Sequence, residues 1–326
     1  MQRRSLLQLA ASGAALAALP KIACATPLKE IRLDYAYYSP TSLVLRRFGW
    51  LEEAFKEDGT SVKWVFSAGS NRALEYLNAN SLDIGSSAGL AALLAKANGN
   101  PIKAPYIFSR PEWTALVVRK DSPIRTLADL KGKKIAATKG TDPYLFLLRS
   151  LASVGLKRDD VEHVGLQHPD GRVALEQGKV DAWAGLDPHM AASELEGGSR
   201  LLYRNVAFNT YGFLNLREDF LAANPAATAR VIKAYERARA WLIANPAEGA
   251  KILAEEAKVS LPVALLQIKL RSDFSNPQPS AEHLKALQVA APILRDEGLV
   301  KPDVDIARAI AGLVDTRFAR PYISRA

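Results

Sequence analysis

The chain of 326 residues has a single Cys and only four His. One Cys cannot build a disulfide framework within the chain, and it excludes a cysteine-rich zinc site. Four His leave little material for a metal centre based on imidazole. No segment matches a phosphate-binding P-loop or a dinucleotide-binding fingerprint. We therefore expect no metal site, no cofactor and no catalytic residues.

Acidic residues are fewer than basic ones, 34 against 43, which gives a formal net charge of +9. The basic residues are spread along the chain without interleaved aromatics, so the charge does not predict a nucleic-acid partner. Hydrophobic residues make up 48% and charged residues 24%, a balance typical of a globular protein with a sizeable core. The length allows one large domain or two ordinary ones.

No apolar run near the N-terminus is long enough to cross a bilayer. Arginines at positions 3 and 4 precede an apolar stretch, residues 6–19, which falls short of the roughly 20 residues that a spanning helix needs. An A-C-A cleavage motif then ends at Ala25. These features predict a signal peptide over residues 1–25, cleaved after Ala25, and a periplasmic location.

Two questions about this export signal stay open. The paired arginines fit a twin-arginine signal, and they also fit an ordinary Sec signal. Cys24 could serve as a lipoprotein attachment site, although Lys21 stands where an apolar residue is expected.

Short β-branched or apolar runs alternate with longer helical patterns, which predicts an α/β fold with mostly parallel sheets. A weak internal similarity of the sequence suggests two similar halves. We expect the chain to pass between them in extended segments at residues 112–118 and 213–216. We expect one lobe over 26–112 together with 217–326, and a second over 113–216. The predicted strands are residues 31–37, 62–66, 82–85, 134–138, 161–164, 180–184 and 213–216.

Small or hydroxyl residues follow several of these strands and lead into helical patterns. In an open α/β sheet such turns lie at the carboxyl ends of strands, where ligands bind, and helix starts there attract anions. We therefore expect an anion-binding cleft at these ends. Asp142 and Asp187, at two of the ends, suit either a zwitterionic ligand or a purely capping role. The other residues concerned are Ser86, Ser87, Ala88, Gly140 and Thr141.

Residues 85–89 match the G-x-S-x-G pattern of a hydrolase nucleophile, and Asp187 and His283 follow Ser87 in the order of a catalytic triad. Only two predicted strands precede this motif, and no HGGG-like oxyanion segment does. A serine hydrolase using Ser87 therefore ranks behind a binding protein.

Longer segments resemble the periplasmic aliphatic sulfonate-binding proteins of ABC transporters, within the wider nitrate, sulfonate and taurine group. They are K-D-S-P-I-R at 120–125, L-A-D-L-K-G-K-K-I-A at 127–136, L-D-I-G at 82–85, V-D-A-W at 180–183 and D-P at 187–188.

The resemblance implies a two-lobed periplasmic binding protein fold of type II, with two crossings between the lobes. It implies that a monomeric, non-enzymatic protein closes on an organosulfonate and delivers it to a membrane permease with its cytoplasmic ATPase. Taurine, nitrate or another small anion stays an alternative ligand. The resemblance places the sulfonate at Ser86, Ser87, Gly140 and Thr141, and it adds pocket residues at the first strand end and the crossover: Tyr38, Ser39, Glu112 and Trp113.

Four aromatic residues are candidates for the wall around an organic tail, because clefts of this type are largely apolar. They are Trp113, Trp183, Tyr144 and Tyr211.

Overall fold

The computed structural model describes residues 28–323. The signal peptide predicted over residues 1–25 lies outside this part of the chain, as do its cleavage site and Cys24. Within residues 28–323, no helix combines the length and the apolar character that a membrane span requires.

The chain folds as two α/β units, each built around its own sheet. The strands are β1 Glu30–Tyr35, β2 Ser61–Phe66, β3 Ile84–Ala88, β4 Ile102–Pro111, β5 Leu116–Arg119, β6 Lys134–Ala137, β7 Glu162–Gly165, β8 Ala182–Ala184, β9 Ser199–Tyr203, β10 Gly212–Arg217 and β11 Ser272–Asp273. The helices are α1 Pro40–Phe48, α2 Trp50–Phe55, α3 Ser70–Asn78, α4 Gly89–Ala97, α5 Asp142–Ala152, α6 His168–Glu176, α7 His189–Leu195, α8 Glu218–Ala223, α9 Pro225–Ala244, α10 Pro246–Ala257, α11 Leu261–Leu265, α12 Ala281–Ala290, α13 Pro292–Asp296 and α14 Ile306–Leu313.

The larger sheet has the strand order β11-β4-β10-β3-β1-β2, and the smaller one has β7-β6-β8-β5-β9. The expectation of mostly parallel sheets is wrong, because both sheets are mixed. Strand β1 runs parallel to β2 and β3, and β6 runs parallel to β7 and β8. All other neighbouring pairs are antiparallel. Each of them contains a strand that lies next to a crossing and runs opposite to its neighbour in the sheet; these strands are β4, β5, β9 and β10.

The chain passes between the two sheets twice. Strand β4 ends at Pro111 in the larger sheet, and β5 begins at Leu116 in the smaller one. The return runs through residues 204–211, from β9 to β10. Residues 213–216, interpreted above as the second crossing, are instead paired in β10 with β3 and β4. The lobe bounds at 112 and 216 stay predictions, and this pairing favours a second bound before β10.

Local sequence explains most helix bounds. Asn224 followed by Pro225 predicts a helix start, because proline suits the first helical position, and α9 does begin at Pro225. The apolar stripe predicted on this helix is buried in the core: Val231, Tyr235, Ala238 and Leu242. The apolar pattern of residues 43–57 predicts a single helix, but the structure divides it into α1 and α2. Gly49, whose φ is +62°, ends the first of them in the left-handed conformation that favours glycine.

Candidate functional site

A small cavity lies where the ends of strands and the starts of helices from both units meet. The space that no atom fills between its lining residues is about 190 Å³, part of it open to solvent, and none of the described lining residues is basic. Tyr38, Ser70 and Ala88 come from the unit of the larger sheet, and Trp113 lies in the first crossing. The remaining lining residues come from the unit of the smaller sheet: Thr141, Asp142, Pro143 and Leu186.

Four helices begin at a lining residue or within two residues after one, and the start of α4, directly after Ala88, is described further below. Helix α1 follows Tyr38 and Ser39, α3 begins at Ser70, and α5 begins at Asp142. Their N-cap residues are Ser39, Gly69 and Thr141, and none of them caps its helix through a side chain. The positive ends of three helix dipoles are thus directed toward one cavity without side-chain caps, an arrangement that favours a bound anion.

The hydroxyl group of Ser70 has a free hydrogen to donate. Its Oγ accepts the backbone N–H of Ala88 at 3.0 Å and donates to no acceptor among residues 28–323, so the hydroxyl hydrogen is available to a ligand in the cavity. The other polar groups are already bound: Tyr38 donates its hydroxyl to the carbonyl of Ser86 at 2.9 Å, and Thr141 donates to the carbonyl of Thr138 at 2.6 Å. Ser70 is therefore the best-placed hydroxyl donor of the lining.

Asp142 is buried, and its carboxylate is saturated with hydrogen bonds from the protein. It accepts the indole N–H of Trp113 at 3.0 Å, the backbone N–H of Thr210 at 3.0 Å and the Thr210 hydroxyl at 2.9 Å. Burial raises the pKa of Asp142, and the bonds from Thr210 and Trp113 oppose that shift. The carboxylate thus holds Trp113 and Thr210 in place, which argues against the zwitterion role considered above.

Two aromatic rings form the apolar wall of the cavity. Tyr38 and Trp113 meet edge to face, with ring centroids 6.0 Å apart. Of the four aromatic candidates for a tail wall, Trp113 alone lines the cavity. Trp183 is buried in β8, and Tyr144 packs on His163. Tyr211 contacts His283, with centroids 4.2 Å apart, and donates its hydroxyl to Glu282.

The serine pair of the sequence motif is turned away from the cavity. Strand β3 continues to Ala88, so Ser86 and Ser87 lie inside the sheet and not in a strand-to-helix turn. Ser86 donates its hydroxyl and its backbone N–H to the buried Asp34 carboxylate, each at 2.8 Å. Ser87 Oγ bonds the carbonyl of Ala88 at 3.1 Å and accepts the amide N–H of Asn215 at 2.8 Å. Of the predicted trio, only Ala88 lines the cavity.

The start of α4 is also occupied by the protein itself. The backbone N–H of Gly89 bonds the carbonyl of Tyr211 at 2.8 Å, and that of Leu90 bonds the Thr210 hydroxyl at 3.1 Å. Residues of the second crossing therefore satisfy the backbone N–H groups at the start of α4, where the sequence predicts a bound anion. A ligand at this helix start stays a prediction, and these two hydrogen bonds argue against it.

The remaining predicted residues lie around the cavity and not in its lining. Glu112 pairs with Arg204 through two bonds of 2.8 Å, which joins the two crossings. Gly140, with φ +76°, lies next to Asn71, and the buried hydroxyl of Ser39 has no hydrogen-bond partner within residues 28–323. Asp187 accepts the backbone N–H of Ala191 and pairs with Arg271, so its capping role is realised.

The residues of the hydrolase alternative are not assembled. Ser87 bonds Ala88 and Asn215, whereas Asp187 pairs with Arg271. His283 is the third residue of α12, and its Nδ1 bonds Ser280. Each member of the proposed triad therefore has other partners, and the geometry gives no support to a hydrolase.

Sequence reasoning missed three residues of the lining: Ser70, Pro143 and Leu186. Ser70 follows the strand predicted over residues 62–66 by four positions. The strand-end rule applied elsewhere would have found it.

A second, wider groove lies on the outer surface. Its space of about 1060 Å³ is open to solvent and is lined by residues between Leu242 and Ser275. None of these residues belongs to the unit of the smaller sheet or to a crossing. Size favours this groove, but the convergence of helix starts from both units favours the small cavity as the ligand site.

A cavity enclosed by two α/β units that are joined by two crossings defines a two-lobed ligand-binding protein of the periplasmic type. The chain belongs to the NMT1/THI5-like family, whose model matches residues 52–249.

Relatives of known name agree with this assignment. A putative aliphatic sulfonates-binding protein of Escherichia coli K12 is 29% identical over 309 residues, which cover 94% of this chain and 96% of the relative. The solved structure of the alkanesulfonate-binding protein SsuA from Xanthomonas axonopodis pv. citri, bound to MOPS, superposes with a TM-score of 0.79 at 29% identity over 89% of this chain and 99% of that one. The periplasmic aliphatic sulphonate-binding protein SsuA of Escherichia coli gives 0.74 at 28% identity over 86% and 91%.

Proposed function

We propose that this protein is the extracytoplasmic solute-binding component of an ABC importer, and that it binds aliphatic sulfonates in the cavity between its lobes. It then delivers them to a membrane permease with a cytoplasmic ATPase. The observation that carries the proposal is the meeting of helix starts from both lobes at one cavity that contains no basic residue.

The chemistry of a sulfonate suits this arrangement. A sulfonate is a permanent anion with three acceptor oxygens, so neutral donors can hold it without any change in protonation. The starts of α1, α3 and α5 supply the dipoles, and the Ser70 hydroxyl supplies a hydrogen. The edge-to-face pair of Tyr38 and Trp113 supplies an apolar surface for the carbon chain.

A ligand that touches both lobes also favours their closed arrangement. Ser70 belongs to one lobe and Thr141 to the other, so a sulfonate between them gains contacts that an open cleft lacks. Binding therefore shifts the population toward the closed form by differential affinity. A protein of this kind needs no catalytic group, and we propose that it is a monomeric carrier exported to the periplasm.

Isothermal titration calorimetry on the mature chain tests the proposal. The panel consists of ethanesulfonate, butanesulfonate, sulfate, nitrate and 2-aminoethanesulfonate. We expect saturable one-to-one binding of the alkanesulfonates and much weaker binding of sulfate and nitrate. Tight binding of nitrate or sulfate alone would favour the small-anion alternative, and no binding of any sulfonate would refute the proposal.

A matched pair of serine variants locates the site. Ser70→Ala removes the free hydroxyl of the lining, whereas Ser61→Ala removes an exposed hydroxyl that donates to the carbonyl of Lys29 outside the cavity. We expect Ser70→Ala to weaken sulfonate binding roughly tenfold, since a hydrogen bond to a charged acceptor is lost. Ser61→Ala should bind as the wild type does.

A further inference from the structure

Two buried acceptor atoms from opposite lobes lie close to the same point beside the cavity. Asn71 is the second residue of α3 in the first lobe, and His168 is the first residue of α6 in the second. An ideal Cβ on Gly69 would lie 2.9 Å from Asn71 Oδ1 and 3.0 Å from His168 Nε2. Both atoms therefore approach one point, and the absence of a side chain at Gly69 is what lets them do so.

Neither atom has a hydrogen-bond partner within the described part of the chain, and His168 is fully buried. An unpaired buried polar atom costs free energy, and such atoms in folded proteins usually meet water or a ligand. Asn71 is close to lining residues of both lobes. It directly follows Ser70 in the sequence, and its Cβ lies 3.3 Å from the ideal Cβ position of Gly140, the residue before Thr141.

The contact of His168 Nδ1 with Thr138 makes the other ring nitrogen, Nε2, a hydrogen-bond acceptor. Burial lowers the pKa of His168 to about 3, so the imidazole is neutral and carries one N–H. Its Nδ1 lies 3.4 Å from Thr138 Oγ1. The Thr138 hydroxyl gives its only hydrogen to the carbonyl of Leu166 at 2.6 Å, so it can only accept from His168. The N–H is thus on Nδ1, and Nε2 carries the lone pair that can accept a hydrogen bond.

On the basis of the function proposed above, we infer that Asn71 and His168 form a polar subsite that selects sulfonates whose carbon chain carries a hydrogen-bond donor, a hydroxyl or an ammonium group. The sulfonate lies at the helix starts near Ser70 and Thr141. The donor on the chain reaches the two acceptors, and lobe closure brings those acceptors together only when both lobes meet the same ligand.

Three ligands of equal chain length test this subsite: ethanesulfonate, 2-hydroxyethanesulfonate and 2-aminoethanesulfonate. Calorimetry on the wild-type chain should show that the two substituted ligands bind at least roughly tenfold more tightly than ethanesulfonate, since each satisfies acceptors that ethanesulfonate leaves unpaired. Equal affinities for all three would overturn the inference and leave the proposed function standing. Absence of binding by all three would contradict the proposed function itself.

Two variants remove the acceptors with little change in shape, and each has a matched control. Asn71→Leu is paired with Asn78→Leu at the exposed end of the same helix. His168→Phe is paired with His163→Phe, a half-buried histidine whose Nε2 bonds the carbonyl of Ala137 at 3.0 Å outside the cavity lining. The melting temperature of each variant confirms that it folds.

We expect Asn71→Leu and His168→Phe to abolish the preference for substituted ligands, so that the affinities for all three ligands differ by less than roughly twofold in each variant. The two controls should keep the preference. A preference that survives in both subsite variants would overturn the inference, as would an equal loss of affinity for all three ligands. If His168→Phe does not fold, Asn71→Leu and the wild-type ligand series decide the question.

Discussion

Trp113 donates its indole N–H to Asp142 Oδ2 at 3.0 Å. The same carboxylate accepts two bonds from Thr210. Since Trp113 lies in the first crossing and Thr210 in the second, one buried side chain joins both connections between the lobes. Asp142 also begins α5 at the cavity. The wall of the ligand site and the connections between the lobes therefore share one hydrogen-bond network.

Substitution of Asp142 tests this network. In Asp142→Asn one oxygen becomes an NH₂ group, which then faces the N–H donors of Trp113 or Thr210. We expect the free energy of unfolding to fall by about 1–3 kcal/mol, because buried donors lose their acceptor. Urea denaturation measures the change. Asp159→Asn, at a highly exposed carboxylate, is the control and should leave stability within about 0.5 kcal/mol of the wild type. Equal stability of the two variants would contradict the network.

A second prediction concerns the contact between the lobes at Gly69. In Gly69→Ala the new methyl group would press against Asn71 Oδ1 and His168 Nε2, so the lobes could not approach as closely. Overpacking of this kind typically costs about 1–3 kcal/mol. Because only the closed form brings these groups together, we expect this cost to lower the affinity for the ligand. Titration calorimetry compares it with Gly165→Ala, where the nearest atom is 3.7 Å away. Unchanged affinity in Gly69→Ala would show that the lobes bind ligand in another arrangement.

The buried ion pair between Arg271 and Asp187 joins the lobes at a further point. Arg271 Nη1 lies 3.1 and 3.3 Å from the two oxygens of Asp187, and Arg271 also contacts Glu194. Arg271→Met leaves the fully buried Asp187 without its cation, so we expect a loss of about 3–5 kcal/mol in unfolding free energy.

The double variant Arg271→Met with Asp187→Asn should recover part of that stability, because it removes the uncompensated charge. Arg204→Met is the control: its guanidinium is about half exposed in the pair with Glu112, and the expected loss is below about 1 kcal/mol. A single Arg271→Met variant as stable as Arg204→Met would contradict the importance of the buried pair.

The pH dependence of stability should reflect the buried carboxyl of Asp34. Burial raises its pKa from 3.8 to about 7, and the bonds from Ser86 oppose that shift. The folded state therefore holds the proton more tightly than the unfolded state does. The resulting stabilisation is complete at a pH below the ordinary pKa of 3.8. It is lost as the pH rises to about 7, at up to about 1.4 kcal/mol per pH unit.

Urea midpoints measured between pH 4.5 and pH 8 check this prediction. The stability of the wild type relative to that of Asp34→Asn should decrease across that range. This comparison cancels the opposite slope from His168, His189 and His283, whose pKa values burial lowers to about 3, about 4 and about 4. Asp187, whose pKa burial raises to about 6, adds a slope of the same sign that the variant retains. Asp121→Asn, at an exposed position, should reproduce the wild-type slope. An unchanged slope in Asp34→Asn would show that this carboxyl titrates normally.

The sequence predicted the α/β character and the placement of ligand residues at strand ends, because both follow from short-range patterns. The resemblance to sulfonate-binding proteins predicted the two-lobed fold, which is confirmed. Trp113, Thr141 and Asp142 do lie at the cavity. Ser86 and Ser87 do not, because β3 continues to Ala88 and their side chains bond Asp34 and Asn215 inside the protein.

The remaining differences also arise from contacts between distant parts of the chain. Nothing near Asp142 in the sequence indicates that Thr210, 68 residues further on, will occupy its carboxylate. Likewise the meeting of Asn71 and His168 depends on how two lobes face each other. Strand β4 contains Pro105 and was missed, although it lies inside the larger sheet between β10 and β11.

A crystal structure of the mature chain with butanesulfonate tests the central claim most directly. We predict that the sulfonate group lies between the helix starts at Ser70 and Thr141, that the Ser70 hydroxyl donates to it, and that the carbon chain packs on Trp113. A butanesulfonate molecule bound in the outer groove near Ile243 and Phe274, with only water between Ser70 and Thr141, would contradict it.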